Sequence, residues 1–215
     1  MKRGQQSTPT LAHRVVYQAA SWCLSYPDHE LVGKSALMRS ALAEQGRAAP
    51  DLTAFLSYLE MTSVGALQRS YVETFDLSKH HPLYLSYWTD GDTRRRGDVL
   101  AAFKKVYRSS DYVTNTHGEL PDFLPLVLEF AAIADPAAGR GLLVQYRPSV
   151  ELIRLALTEH GSPYAQVLEG VCATLPGPSP ADRQAVQVIA GYGPPAESVG
   201  LEPFDPRLLP LNASS

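Results

Sequence analysis

The chain has 215 residues, 45% hydrophobic and 19% charged, with 19 basic and 22 acidic side chains and a formal net charge of −3. That length suits one large helical domain or two small lobes, and the apolar fraction can fill a core, which excludes an intrinsically disordered chain. The acidic balance argues against a nucleic-acid partner, because phosphate binding draws much of its affinity from a basic surface.

The two cysteines, Cys23 and Cys172, lie far apart in helix-like segments. Two thiols make neither a disulfide framework nor a four-thiolate zinc site, so both are expected as small core residues in a reducing compartment. Lys2 and Arg3 precede a polar stretch through Thr10, and His13, Arg14, Gln18 and Ser21 interrupt the apolar positions that follow. No export-signal core forms from that pattern. The longest apolar run, Leu124 to Ala134, contains Glu129 and falls short of the ~20 residues that span a bilayer. A cytoplasmic protein without direct membrane insertion is expected.

Residues 1–10 read as a disordered leader. From Leu11 the apolar spacing becomes helical, with Leu11, Val15, Ala19, Trp22 (or Cys23) and Tyr26 three or four residues apart. Pro27 stops that helix and Asp28 caps the next, which carries Leu31, Leu37, Met38 and Leu42 and ends near Gly46. Asp51 is the expected cap of a third helix with Leu52, Phe55, Leu56 and Leu59 on one face. Val64, Leu67, Tyr71 and Phe75 continue the pattern as an aromatic-tipped stripe.

Residues 77–92 are ambiguous. Pro82 to Trp88 is short and aromatic, which favours a strand on propensity, yet no alternation resumes after Asp90-Gly91. Residues 83–88 are read as a short helix or an extended connector. Asp90 or Asp92 then caps a helix with Val99, Leu100, Phe103, Val106 and Tyr107 on its core face. Asp122 is the expected cap of the following helix, with Pro125 in its first turn, where amides lack intrahelical partners. Phe123, Leu124, Leu126, Val127, Leu128 and Phe130 are apolar nearly all round, which places that helix centrally. Helices follow at about 137–146, 148–160 and 163–174. Pro176 to Pro180 reads as a linker, Asp182 to Gly191 as a last short helix, and 193–215 as an irregular, proline-rich arm. The fold class is all-α: a single-domain bundle of about eight to ten helices over residues 11–192.

No chemistry-bearing constellation stands out. His80 and His81 are adjacent, so their side chains diverge and are expected as exposed turn residues. His117 and Glu119 lack a third ligand at a usable spacing. Asp90-Gly91-Asp92 resembles the Asp-x-Asp of metal–nucleotide enzymes, but the same residues suit a helix N-terminus. Nucleotide-binding glycine loops and a Ser-centred elbow are missing from the sequence. Arg94, Arg95 and Arg96 fan over about 200° of a helix, so they cannot share one ligand. A solvated face, with one arginine turned inward to a carboxylate, accounts for them. Glu119 to Leu124 is a tight turn and cap. Its two carboxylates and Pro121 would also suit a pocket rim that recognises a basic peptide.

Three blocks together resemble a known family. They are Tyr71-Val72-Glu73-Thr74-Phe75-Asp76-Leu77, Thr89 through Gly97, and Glu119-Leu120-Pro121-Asp122-Phe123-Leu124-Pro125-Leu126-Val127-Leu128-Glu129-Phe130. Their order and spacing are similar to the nitrate reductase delta-subunit family, the NarJ-type molybdenum-cofactor assembly chaperones. The resemblance spans about residues 11–205. It implies the all-helical fold of the chaperones that proofread twin-arginine export substrates. It also implies a protein that is not an enzyme and holds no cofactor of its own. Such a chaperone binds the N-terminal segment of the immature catalytic (alpha) subunit of respiratory nitrate reductase. It remains until iron–sulfur clusters and the bis-molybdopterin guanine dinucleotide cofactor are inserted, and it leaves before the enzyme is complete.

On this resemblance a leader peptide lays its apolar face into a groove of Tyr71, Phe75, Tyr84, Tyr87 and Leu124, while Glu119 or Asp122 meets its basic residues. Asp90, Arg94, Leu120 and Pro121 complete the expected peptide-binding set. One position departs from the family pattern: Phe123 stands where many members carry His, so recognition there has to be apolar. Two other classes fit the sequence less well. A helical DNA-binding regulator would use Arg94–Arg96, and a metal-dependent hydrolase would use His117, Glu119 and Asp122.

Overall fold

The computed structural model describes residues 9–45, 50–90, 95–110, 116 and 118–190. The 1–8 part of the expected leader and the 193–215 arm lie outside the described residues, as do Gly46, Gly91, Asp92, Arg94, His117 and Gly191.

The chain forms α1 (Leu11–Cys23), α2 (His29–Gly33), α3 (Ser35–Glu44), α4 (Pro50–Met61) and α5 (Val64–Tyr71). A π-helical turn, Val72–Asp76, extends α5. Then come α6 (Leu85–Asp90), α7 (Arg95–Arg108) and α8 (Leu124–Glu129), the last extended by a second π-turn, Phe130–Ala134. The chain continues through α9 (Pro136–Gln145), α10 (Arg147–Glu159), α11 (Tyr164–Cys172) and α12 (Arg183–Ala190). Among the described residues there is no strand, only the single antiparallel bridge Tyr84–Phe123. The all-α class expected from the sequence is the one observed. Among the described residues there are twelve α-helical segments against the expected eight to ten, and one of the added segments arises where the stretch read as one helix over 28–46 breaks at Lys34 into α2 and α3.

Helix starts follow side-chain chemistry where the caps are visible. Thr10 accepts from the His13 amide, Asp28 from Leu31, Asp135 from Ala138 and Asp182 from Ala185. Each satisfies an amide that has no intrahelical partner. Asp51 is not a cap: it lies inside the first turn of α4, after Pro50. Its charge is still favourable there, against the helix dipole.

The core is built on α11, which packs against α1, α4 and α10. Tyr164, at the start of α11, is buried, and its ring lies 5.1 Å from Phe55 and 4.9 Å from Phe75. Leu52, Phe55, Leu56 and Leu59 of α4 are all buried, as their spacing predicts. The stripe on α1 is displaced. Leu11 and Tyr26 are exposed, while Val16, Tyr17, Ala20 and Cys23 are buried, because α8, α11, α3 and the second π-turn surround this helix. Both cysteines are buried and unpaired. Where α9 crosses the second π-turn, a Cβ at Gly139 would sit 2.4 Å from the Ala131 Cα, so only glycine allows that approach.

The proline-rich stretch after α11 is pinned rather than loose. Glu151, with no solvent exposure, lies between Arg147 (3.4 Å) and Arg154 (2.8 Å). The two guanidinium groups donate to the carbonyls of Pro176, Gly177, Pro178 and Pro180. That strap lays α12 against α10. Removing one member of a buried ion network leaves the others desolvated and uncompensated. Glu151→Ala is therefore expected to destabilise the fold by about 3–5 kcal/mol in urea unfolding. A loss below about 1 kcal/mol would show that the arginines are already satisfied by the strap carbonyls alone.

Candidate functional site

The surface singled out by the sequence forms where residues 82–90 meet residues 116–124. Leu85 donates its amide to the Asp122 carbonyl (3.1 Å), and Leu124 donates to Leu83 (2.8 Å). The extended piece at Tyr84 and the short helix α6 are thus both present in a segment whose sequence allowed either. Gly118, at φ +89°, turns the chain so that the Glu119 amide reaches the Thr116 carbonyl. Residues with a Cβ rarely adopt that conformation.

Asp122 is wholly buried, and its Oδ2 accepts from the Ser86 amide (3.0 Å) and the Ser86 hydroxyl (2.6 Å). It therefore caps α6, thirty-six positions away, and not its own helix. The N-cap of α8 is Phe123, which offers no side-chain acceptor. This corrects the local cap expected at Asp122. The reason is tertiary: the 82–84 to 121–124 pairing brings the α6 amides to this carboxylate before the α8 amides can reach it. Nor does Asp90 start a helix; it is the last residue of α6.

Tyr84 and Glu119 form the polar centre of the site. The Tyr84 hydroxyl donates to Glu119 Oε2 at 2.7 Å. Its ring lies 5.4 Å from Phe123 and 6.0 Å from the Arg96 guanidinium carbon. Burial, then the hydrogen bond to Glu119 and the charges of Glu119 and Asp122, raise the Tyr84 hydroxyl pKa, against an opposing pull from Arg96. Leu120 beside it is 39% exposed.

Tyr71 and Phe75 sit at the inner wall. Their rings are 4.9 Å apart, and Tyr71 also meets Tyr26 (5.5 Å) and Tyr164 (6.0 Å). The Tyr71 hydroxyl donates to the Leu24 carbonyl at 3.1 Å. Burial, then the negative charges of Asp76 and Glu119, push its pKa upward, so the aromatic column and the carboxylate share one electrostatic neighbourhood. The π-turn at Val72–Asp76 carries Phe75 onto Tyr164 and leaves Glu73, Asp76 and Leu77 exposed. Such turns commonly mark functional sites.

The expected peptide-binding residues thus divide. Tyr84, Glu119 and Leu120 share one surface, with Phe75 half-buried behind it. Tyr71, Pro121, Asp122 and Leu124 are buried supports beneath that surface. Tyr87 points into a different cleft, on the α10 side of α6. The Asp90 side chain and Arg94 lie outside the described residues. Of the arginine run, Arg96 turns inward over Tyr84. Two contributors were missed, Tyr26 and Tyr164, whereas Phe123, expected as an apolar position, packs on Tyr84. For Tyr26 and Tyr164 the available signal was an aromatic at a helix end, where a ring can reach a neighbouring segment. His81 also departs from expectation. It is buried, with its ring 4.7 Å from His160 and its Nδ1 3.2 Å from the Thr74 carbonyl, while His80 is exposed as expected. Among the described residues no three His, Cys, Asp or Glu side chains are grouped to hold a metal.

Residues 40–169 match the family described as nitrate reductase delta subunit. The chain belongs to this family. It is 34% identical over 168 residues to the Bacillus subtilis "Probable nitrate reductase molybdenum cofactor assembly chaperone NarJ", covering 77% of this chain and 91% of that one. It is 45% identical over 160 residues to the "Nitrate reductase-like protein NarX" of Mycobacterium tuberculosis, covering 74% of this chain but only 24% of that protein. This chain therefore spans about a quarter of the length of that relative. A solved structure from Archaeoglobus fulgidus, described as a candidate redox enzyme maturation protein, superposes with a TM-score of 0.55. It covers 80% of this chain and 97% of that one at 22% identity, which identifies the fold.

Two outcomes follow from the geometry. Asp122→Ala strands the Ser86 amide and hydroxyl in a buried position, so a stability loss of about 2 kcal/mol is expected in chemical denaturation. Ser86→Ala should lose about half as much. For Tyr71, Tyr84, Tyr107 and Tyr164 the folded-state pKa lies above the ordinary tyrosine value, chiefly through burial. Their contribution to stability is complete below the unfolded pKa of about 10 and is lost as pH rises toward the folded values. Alkaline spectrophotometric titration should show these four ionising late, together with unfolding. Ionisation of all eleven tyrosines near pH 10 in the folded chain would refute the burial.

Proposed function

We propose that this chain is an assembly chaperone for a respiratory nitrate reductase and not an enzyme. It binds the immature catalytic subunit through that subunit's N-terminal segment, permits molybdenum-cofactor insertion in the cytoplasm, and is absent from the finished enzyme. The near full-length similarity to the Bacillus chaperone supports the class. Among the described residues no helix is long and apolar enough to cross a membrane.

The observation that carries the reading is the composition of the surface around Tyr84. The half-buried rings of Tyr84 and Phe123, the Glu119 carboxylate and the exposed Leu120 share this surface, and the Asp76 and Glu119 charges both act on the Tyr71 ring column behind it. An amphipathic helix with basic residues flanking its apolar face matches that combination. The buried Asp122 cap and the Tyr71 column hold the surface in place without touching the client. A chaperone needs this type of surface: apolar contact for affinity and screened charge for release.

Co-purification from cells making the catalytic subunit, with and without its first few dozen residues, tests the reading. Capture that survives the truncation would place the contact elsewhere. Calorimetric titration of the N-terminal peptide separates the two contributions. Leu120→Ala should weaken binding by about 1–1.5 kcal/mol, roughly tenfold, and make the heat-capacity change less negative. Glu119→Gln should cost no more than about 1 kcal/mol at low salt, and the cost should vanish as salt rises. If both variants bind the peptide as tightly as the parent chain, the aromatic surface is packing and not a docking site.

A further inference from the structure

A cleft of about 480 Å³, which Glu119 does not line, is bounded by α6, α10, the start of α12 and residues 79–81. Its chemistry is the reverse of the first surface. Lys79 and His80 are exposed on one rim, and His160 and Arg183 on the other. Arg183 is matched by Glu159 at 3.0 Å, whereas Lys79 has no carboxylate partner among the described residues. Tyr87 and Trp88 form an aromatic wall, with their rings 6.1 Å apart and nearly perpendicular. Trp88 is fixed there by its indole N–H, which donates to the Pro82 carbonyl at 2.9 Å. His81 closes the floor, held by Ser78 and the Thr74 carbonyl.

We infer that this cleft is a second subsite for the client polypeptide, taking an acidic side chain that neighbours an apolar or aromatic one. The uncompensated Lys79 ammonium and the imidazoles of His80 and His160 attract a carboxylate, and Tyr87 and Trp88 receive the apolar neighbour. The link to the client is α6 itself. Tyr84 immediately precedes this helix and Tyr87 lies three residues on, a rise of about 5 Å, so one peptide crossing α6 reaches both surfaces. The client segment then carries charges in order: basic residues over Glu119 and Asp76, and an acidic residue beyond α6. This inference rests on the chaperone reading above and adds a direction to the bound peptide.

The test uses the full chain and two small probes, N-acetyl-Asp-Phe-amide and N-acetyl-Asn-Phe-amide, with inorganic phosphate as the competing anion. The chain has two tryptophans, so Trp22→Phe leaves Trp88 as the sole reporter of cleft occupancy. At low salt the Asp probe should perturb Trp88 fluorescence and bind about three- to fivefold more tightly than the Asn probe. That preference should disappear in Lys79→Gln, whose exposed side chain does not support the fold. Calorimetry on the parent chain and Lys79→Gln gives the same comparison if Trp22→Phe perturbs folding. Equal binding of the two probes, or displacement of the Asp probe by equimolar phosphate, would overturn the inference. Glu119→Gln should leave Asp-probe binding unchanged. Failure of the cleft with client-peptide binding intact therefore sinks only this inference, and loss of client dependence on Leu120 sinks the groove.

Discussion

The arrangement on which the candidate site depends is a helix cap supplied from outside the helix. α6 has six residues, too short to persist alone, since an isolated helix of that length does not repay its nucleation. Asp122 reaches it from the turn before α8 and accepts both Ser86 donors in a fully buried position. One carboxylate therefore fixes the start of α6, the Tyr84–Phe123 bridge and the approach of Glu119 together. Tyr107 reinforces the turn by donating its hydroxyl to the Pro121 carbonyl at 2.6 Å. The polar groups at this junction are buried, so the junction tolerates little sliding.

A second buried network does the same for the segment that follows α11. Glu151 holds Arg147 and Arg154, and these hold the strap that seats α12. Buried ion networks contribute little net stability compared with an apolar core, but they define a single geometry because every wrong arrangement leaves a desolvated charge. Here that geometry brings Arg183 to Glu159 and so closes one side of the cleft beside α6. The helix that carries this network, α10, also packs against α6.

Residues of α6 and the one just before it thus take part in two surfaces of different character. One is aromatic with Glu119 beside it, and the other aromatic with Lys79 and the Arg183–Glu159 pair at its rim. A folded enzyme substrate rarely needs both at once, whereas an unfolded chain segment carries both charges along its length. The family assignment carries the chaperone reading, and the use of both surfaces by one client polypeptide is the proposal made for them.

What the sequence determined by itself was local. Period, caps and prolines placed most of the helices, and the all-α class followed because no alternation competed. Asp28 and Asp182 cap as their positions dictate, since the amides they satisfy lie within three residues. Of the three family blocks, the first and third, with Arg96 of the second, fall on the segments described above as the candidate site. What only the tertiary structure decided was which partner each ambivalent residue takes. Asp122 could cap its own helix or a neighbouring one; the 82–84 to 121–124 pairing settled that in favour of α6. Tyr71 could line a groove or fill the core; Tyr164, ninety-three positions later, claimed it for the core. His81 could be a turn residue like His80; α10 packed over it. Pro176 to Pro180 could be a loose linker; the buried Arg147 and the half-buried Arg154 needed its carbonyls. Each outcome depends on a contact between segments far apart in the chain, and periodicity within one segment carries no information about which distant surface will cover it.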